Sequence, residues 1–306
     1  MNRRTRHALE SGLAFAVTAA VGVLPRRVML AFGRGLGWLW GALDRRHREI
    51  AMDGLRRAFP EWEEGRVERT ARAVYAHFGA VLLDILWMSR QPRGRLLSIV
   101  DCEGRGHVEA AYAMRRGVLF VTAHIGNWEI HALDHGWRHE PIGVVARPLD
   151  NPELDKRLCT FRRRSGNTVI FKRHALAQVL RMIRAGSGVA FLIDQNVQEK
   201  DGIFVEFFGR PAATTTVAAA VARKTGCALL PARTELLPNG RYRFRYEAPL
   251  EWAATDDRDA DIAAVTQALT KRIEGWVRET PAQWLWIHRR WKTQPAETTG
   301  SAEAGR

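Results

Sequence analysis

Residues 124–129 read His-Ile-Gly-Asn-Trp-Glu, which sets an imidazole and a carboxylate five positions apart at the end of the apolar run VLFVTA, 118–123. On one continuous helix five residues amount to about 500° of turn, leaving the two side chains about 140° apart. If His124 instead closes a strand and Gly126-Asn127 makes the bend, Glu129 opens a helix and can turn its carboxylate back to the ring. A carboxylate so placed fixes the tautomer and stabilises the imidazolium, while the other ring nitrogen takes a proton from an attacking hydroxyl. The spacing therefore predicts His124 as general base and Glu129 as its orienter, with a satisfied structural pair as the alternative for such a spacing taken alone.

This base has no protein nucleophile to activate. No G-x-S-x-G elbow occurs and no cysteine lies near either residue, which disfavours a covalent acyl-enzyme. His131, His135 and His139 recur at helical spacing beside Asp134, but H-E-x-x-H is absent; a solvated helix face is expected, and neither a metal nor another cofactor. The stretch GRGLG at 33–37 sits in an apolar helical segment rather than after a strand, and no P-loop is present. Arginines are scattered with no finger, homeodomain or RNP signature, so nucleic acid is not an expected partner.

Such residues need a scaffold, and the central chain supplies alternating elements. Short β-rich runs at 117–123, 142–147, 167–172 and 188–194 alternate with helical patterns at 106–116, 128–138, 151–165 and 174–186. A further helix at 214–225, two strands around the Asn239-Gly240 turn signal and a helix at 259–278 follow. This order predicts an α/β fold with a mixed, largely parallel sheet flanked by helices. Functional groups in such sheets gather beyond the carboxyl ends of strands. Two of those ends carry chemistry, His124 after VLFVTA and Asp194-Gln195 after VAFLI.

Ahead of the sheet, residues 44–91 read as two helices broken at Pro60. Residues 1–43 are different: 8–24 are apolar behind Arg3, Arg4 and Arg6, and 28–43 combine an apolar pattern with Arg34, Trp38 and Trp40. Seventeen helical residues reach only about 25 Å against a hydrocarbon core of about 30 Å. Membrane-anchoring or interfacial helices over 1–43 are expected, with two ordinary buried helices as the alternative. A catalytic domain over 44–295 and a disordered tail over 296–306 complete the expected organisation.

The 306 residues are 46% hydrophobic and 26% charged, as in a globular protein. Lys and Arg outnumber Asp and Glu by 47 to 33, a formal charge of +14, so an anionic partner is expected; charge alone does not choose among nucleic acid, which the missing signatures disfavour, an acidic protein and lipid headgroups. Three cysteines without short spacing argue against a disulfide framework and a thiolate metal site, with a reducing, cytoplasm-facing setting as the default.

Several blocks in order resemble the late acyltransferases of lipid A biosynthesis, within the lysophospholipid acyltransferase superfamily: DGLRRAFPE at 53–61, HIGNWE at 124–129, ARPLDNPELD at 146–155, RRRSGN at 162–167, LIDQN at 192–196, FVEFFGRPAATT at 204–215 and QWLWIHRRWKT at 283–293. The resemblance runs from about residue 10 to 295 and implies a glycerol-3-phosphate acyltransferase-like fold. It further implies that His124 and Glu129 act on a hydroxyl that attacks an acyl thioester. The implied donor is acyl carrier protein, or acyl-CoA, and the implied acceptor is a phosphorylated glycolipid at the cytoplasmic face of the inner membrane. Arg147 is then the first candidate oxyanion donor and Arg164 the second; Asn127, Asp194 and Gln195 are candidates for holding the acceptor or the surrounding loops. Phe204, Phe207 and Phe208 could line an acyl groove or belong to plain core. Asp53-Gly54 stands where the family usually has Asn-Leu, and acceptor identity does not transfer with the motif, since related enzymes acylate mannosylated phosphoinositides and ornithine-type lipids.

Overall fold

The computed structural model describes residues 2–171 and 175–296. The tail expected over 296–306 therefore lies, from residue 297 on, outside the described residues. Five helices come first: α1 (Arg3–Gly22), α2 (Arg26–Leu43), α3 (Arg45–Ala58), α4 (Glu64–Met88) and the short α5 (Arg93–Leu97). Pro60 falls in the break between α3 and α4, as its missing N–H requires. Then follow β1 (Val100–Glu103), α6 (Arg105–Ala113), β2 (Val118–Thr122), α7 (Trp128–Arg138), β3 (Gly143–Ala146), α8 (Pro152–Arg163), β4 (Thr168–Phe171), α9 (Ala175–Arg184) and β5 (Gly188–Leu192). The chain ends with β6 (Ile203–Phe207), β7 (Arg210–Thr214), α10 (Val217–Thr225), β8 (Ala228–Leu236), β9 (Tyr242–Tyr246) and α11 (Arg258–Glu279).

Seven strands form one sheet in the order β1-β9-β8-β2-β5-β3-β4, parallel throughout except for the β8–β9 pair. Gly240 turns that pair with φ of +85°, a conformation that favours glycine. The sheet is thus the mixed, largely parallel one expected. β2 is buried along its whole length because both sheet faces are covered. Leu119 and Val121 pack with Val179, Val221 and Val265 of α9, α10 and α11 on one face. Val118 and Phe120 pack with Val108 and Ala111 of α6 on the other. β1 was not visible as a strand in the sequence, since four residues with one buried side chain carry no alternation. The FVEFFGRPAATT block forms the separate β6–β7 antiparallel hairpin. Its Phe207 and Phe208 are buried in the core, which settles that pair as packing rather than groove.

α2 lies along α4 at very short range. Gly33, Gly37 and Gly41, one turn apart on α2, are its buried stripe, and a Cβ on Gly37 would collide with the Tyr75 carbonyl oxygen. A side chain at Gly33 would meet the Ala80 backbone at 2.8 Å. Arg26 adds two bonds to the buried Asp84 carboxylate, at 3.0 and 2.6 Å. Gly37→Ala is expected to cost about 1–3 kcal/mol by overpacking. A lowered thermal or urea midpoint checks it, with the exposed Gly35→Ala, which meets no atom and gains only alanine's helix propensity, as the comparison.

Candidate active site

Between β2 and α7 the chain bends as the sequence requires. Gly126 takes φ of +61°, and a Cβ there would strike the Thr234 carbonyl. Asn127 caps α7 by accepting from the Ile130 N–H at 3.3 Å. The bend is held from outside by the C-terminal segment: Gly126 N–H donates to the Gln283 carbonyl at 3.0 Å, and Leu285 N–H to the His124 carbonyl at 3.1 Å.

The carboxylate on the His124 ring is that of Asp194, just beyond β5. His124 Nδ1 lies 2.8 Å from Asp194 Oδ1, and the His124 backbone N–H donates to Oδ2 at 2.8 Å. Trp284 Nε1–H donates to the same Oδ2 at 2.7 Å. Burial pushes the Asp194 carboxyl upward, but the facing imidazole and these three hydrogen bonds outweigh it and hold the carboxyl below its ordinary range. An ionised partner places the ring proton on Nδ1, leaving Nε2 as the lone-pair nitrogen, 3.4 Å from Gln195 Nε2. Trp128 stands edge-on to the ring at 4.8 Å between centroids.

Glu129 does not orient His124. Its carboxylate takes a bidentate pair of bonds from Arg162, at 2.9 and 2.5 Å, because the start of α7 faces the end of α8. Both partners are nearly enclosed, with side chains 6% and 11% exposed. Arg162 Nη1 has no partner among the described residues. The five-residue spacing thus brings Glu129 to the wall of the same cavity as His124 but onto a different partner.

The other expected residues separate. Asn127 is fully buried and spends its amide on Tyr242 Oη at 3.0 Å, so it has no face open to a substrate. Arg164 caps the end of α4, donating to the carbonyls of Met88 at 2.9 Å and Gln91 at 2.6 Å, where a helix C-terminus attracts a cation. It is therefore not a free oxyanion donor. Arg147 reaches the cavity rim with its side chain 77% exposed, its ion pair being with Asp150 at 3.5 Å.

The cavity itself holds about 1350 Å³. Its inner part lies between the sheet and α7: Phe120, Thr122, Val144, Ala190, Leu192 and Ala232 form one wall and Trp128, His131, Ala132 and His135 the other. Alanines at 132, 190 and 232 leave space where larger side chains would close the core. The outer part opens between α1, α4 and α8. Phe204, Phe207 and Phe208 are not among its lining residues.

The histidine face of α7 is not solvated. His131 and His135 are buried, His131 against Thr234 Oγ1 at 3.1 Å and His135 between the hydroxyls of Tyr246 at 2.8 Å and Tyr112 at 3.1 Å. Among the described residues no cluster of three or more His, Cys, Asp and Glu could hold a metal. Burial pushes His131 down to about 3, and it pushes His77, buried on α4, down to about 4. With folded values below the unfolded one of about 6.5, the unfolded chain binds these protons first. Stability should therefore fall as pH drops from 6.5 towards 4. Urea midpoints across that range check this, and the fall should be shallower in His77→Gln.

The Glu129–Arg162 pair gives a second expectation. Arg162→Ala leaves a buried carboxylate unpaired and should cost about 3–5 kcal/mol. The double change with Glu129→Gln should recover part of that loss in the same denaturation measurement.

The family profile described as bacterial lipid A biosynthesis acyltransferase matches residues 2–293. The chain is 29% identical over 284 residues to the lipid A biosynthesis lauroyltransferase of Escherichia coli K12, covering 92% of this chain and 91% of that protein. It is 27% identical over 292 residues to the palmitoleoyltransferase of the same organism, covering 89% and 93%. The phosphatidylinositol mannoside acyltransferase of Mycobacterium tuberculosis CDC 1551 is 27% identical over 199 residues, covering 64% of this chain and 61% of that protein. The comparisons define an acyltransferase that works at membranes on a lipid. The chain belongs to the bacterial lipid A biosynthesis acyltransferase family.

Proposed function

We propose that this protein transfers a fatty acyl chain from the thioester of acyl carrier protein to a hydroxyl of a lipid A precursor at the cytoplasmic face of the inner membrane. The observation that carries this reading is a histidine whose Nδ1 is held by a buried carboxylate and which lines the wall of a deep apolar cavity. His124 Nε2 takes the proton of the acceptor hydroxyl as its oxygen attacks the thioester carbon. The tetrahedral intermediate collapses, the carbon–sulfur bond breaks, and the thiolate leaves with the proton that His124 returns. No acyl-enzyme forms. Asp194 orients the ring and stabilises the imidazolium, the part assigned to Glu129 on sequence spacing. Arg162, with one donor unspent beside Glu129, replaces Arg147 and Arg164 as the cation we assign to the substrate's anionic atoms.

Both proposed partners are anionic, which matches a formal charge of +14. A second acceptor class is favoured by one observation, the similarity to a phosphatidylinositol mannoside acyltransferase; on that reading the same chemistry acylates another membrane lipid such as a phosphoinositide mannoside or an ornithine-type lipid, with acyl-CoA as an alternative donor.

Purified protein supplied with acyl carrier protein thioester and extracted lipid A precursor should yield a product heavier by one acyl chain. His124→Ala should lower turnover ~10²–10⁴-fold. Asp194→Asn should shift the tautomer and lower turnover as well, whereas Arg147→Ala should leave kcat near wild type. Full activity in His124→Ala would overturn the base assignment. A mass shift on another lipid, and none on the precursor, would overturn the acceptor. Ala190→Leu, which fills the inner cavity, should shift product chains towards shorter lengths, and unchanged chain length would remove the acyl chain from that space.

A further inference from the structure

The large apolar side chains left exposed concentrate on the first two helices. On α2, Val28, Phe32, Leu36, Leu39 and Leu43 follow one another at spacings of three and four, a single stripe opposite the glycines packed on α4. Leu9, Leu13 and Phe15 of α1 and Leu82 of α4 are exposed too. Arg3, Arg4, Arg6, Arg27, Arg34, Arg45 and Arg46 are exposed in the same region. Apolar patches with a cationic, tryptophan-bearing margin suit the headgroup boundary of an anionic leaflet.

Crossing the bilayer is a different matter. Among the described residues the one helix long and apolar enough to do so is α4, and it is mostly buried in the protein. α1 carries three arginines and Glu10 in its first half, so its uninterrupted uncharged stretch, 11–22, reaches about 18 Å, well short of a hydrocarbon core of about 30 Å. α1 is also fastened sideways to the N-terminus of α8. Asn151 Nδ2 donates to the His7 carbonyl at 3.0 Å and to Glu10 Oε2 at 3.0 Å, and Ser11 Oγ lies 3.3 Å from Asn151 Oδ1. Arg157 of α8 covers the Phe15 ring at 5.4 Å.

We propose that α1 and α2 lie in the plane of one leaflet without crossing it, and that their exposed face is the lateral entrance through which a lipid reaches His124. Leu13, Phe15, Leu36 and Leu82 belong both to the exposed apolar face and to the wall of the cavity that contains His124. A lipid chain can therefore pass from the leaflet into the site without entering water. α1 is then a wall of the active site as much as an attachment. The entrance rests on the lipid acceptor proposed above; the topology does not.

The test uses the full chain with Cys102→Ser, Cys159→Ala and Cys227→Ala, carrying either Thr5→Cys in the first turns of α1 or Arg27→Cys beyond its end. In sealed inside-out membrane vesicles an impermeant maleimide should label both positions to the same extent as after detergent. Labelling of Thr5→Cys only after detergent would overturn the in-plane arrangement. Should that background fail to fold, Ser11→Cys with Asn151→Cys in the otherwise native chain answers the same question. The pair should form a disulfide in vesicle-bound protein, and acyl transfer should continue with it closed. Loss of transfer on oxidation, restored by reduction, would show α1 leaving α8 and would overturn the proposal. An enzyme that acylates a different lipid leaves the labelling pattern unchanged, so failure of the functional reading is distinguishable from failure of the topology.

Discussion

The Asp194 carboxylate is a charge removed from water, and the site depends on how it is satisfied. A buried carboxylate persists as an anion only when donors surround it. Here they are the His124 ring, the His124 backbone N–H and the Trp284 indole. These three bonds join the end of β2, the end of β5 and the C-terminal segment at one point. They also decide which ring nitrogen carries the proton, so the anchor of the fold and the orientation of the imidazole are one interaction. The supporting bonds from Gln283 and Leu285 to the bend then follow from the same segment being drawn inward.

A second buried carboxylate does the corresponding job on the other side of the bend. Asp84 of α4 accepts from Arg26 of α2 and from the Tyr242 hydroxyl of β9 at 2.6 Å, and that hydroxyl accepts from Asn127 at the start of α7. The chain of contacts ties the first two helices and the sheet to the residue that caps α7. Asn127 is therefore a structural residue with a functional address: it is three positions from His124, yet it acts on the backbone and on Tyr242. Breaking the Arg26–Asp84 pair would leave an uncompensated charge next to the bend, which is why the first two helices and the site cannot be treated as separate parts.

Much of the sheet was legible because its strands are buried on both faces and read as continuous apolar runs, while the helices between them carry cap residues such as Asn127 and Asn151. The bend at Gly126 was legible for the same local reason. The partner of His124 was not. Asp194 lies seventy positions away, and the neighbourhood of the β2 and β5 ends is a property of topology that no local spacing records. Within RRRSGN the difficulty was rotational: Arg162 and Arg164 are two residues apart at a helix end, about 200° around the axis, so one faces Glu129 and the other the end of α4.

The cavity shows how weak residues in a sequence can carry function. Ala132, Ala190 and Ala232 have no chemistry of their own, and periodicity assigns them to core. Their small volume under α7 removes the packing that would otherwise close the sheet face, while His135 and Tyr246, hydrogen-bonded to each other, and Phe120, edge-on to the His135 ring, bound the space. Close packing elsewhere keeps that space from collapsing, because α7 is held at its start by Asn127 and further along by His131 and His135. Burial keeps His131 and His135 neutral, so they serve as struts under α7, while the His124 ring is anchored by Asp194 at the cavity wall.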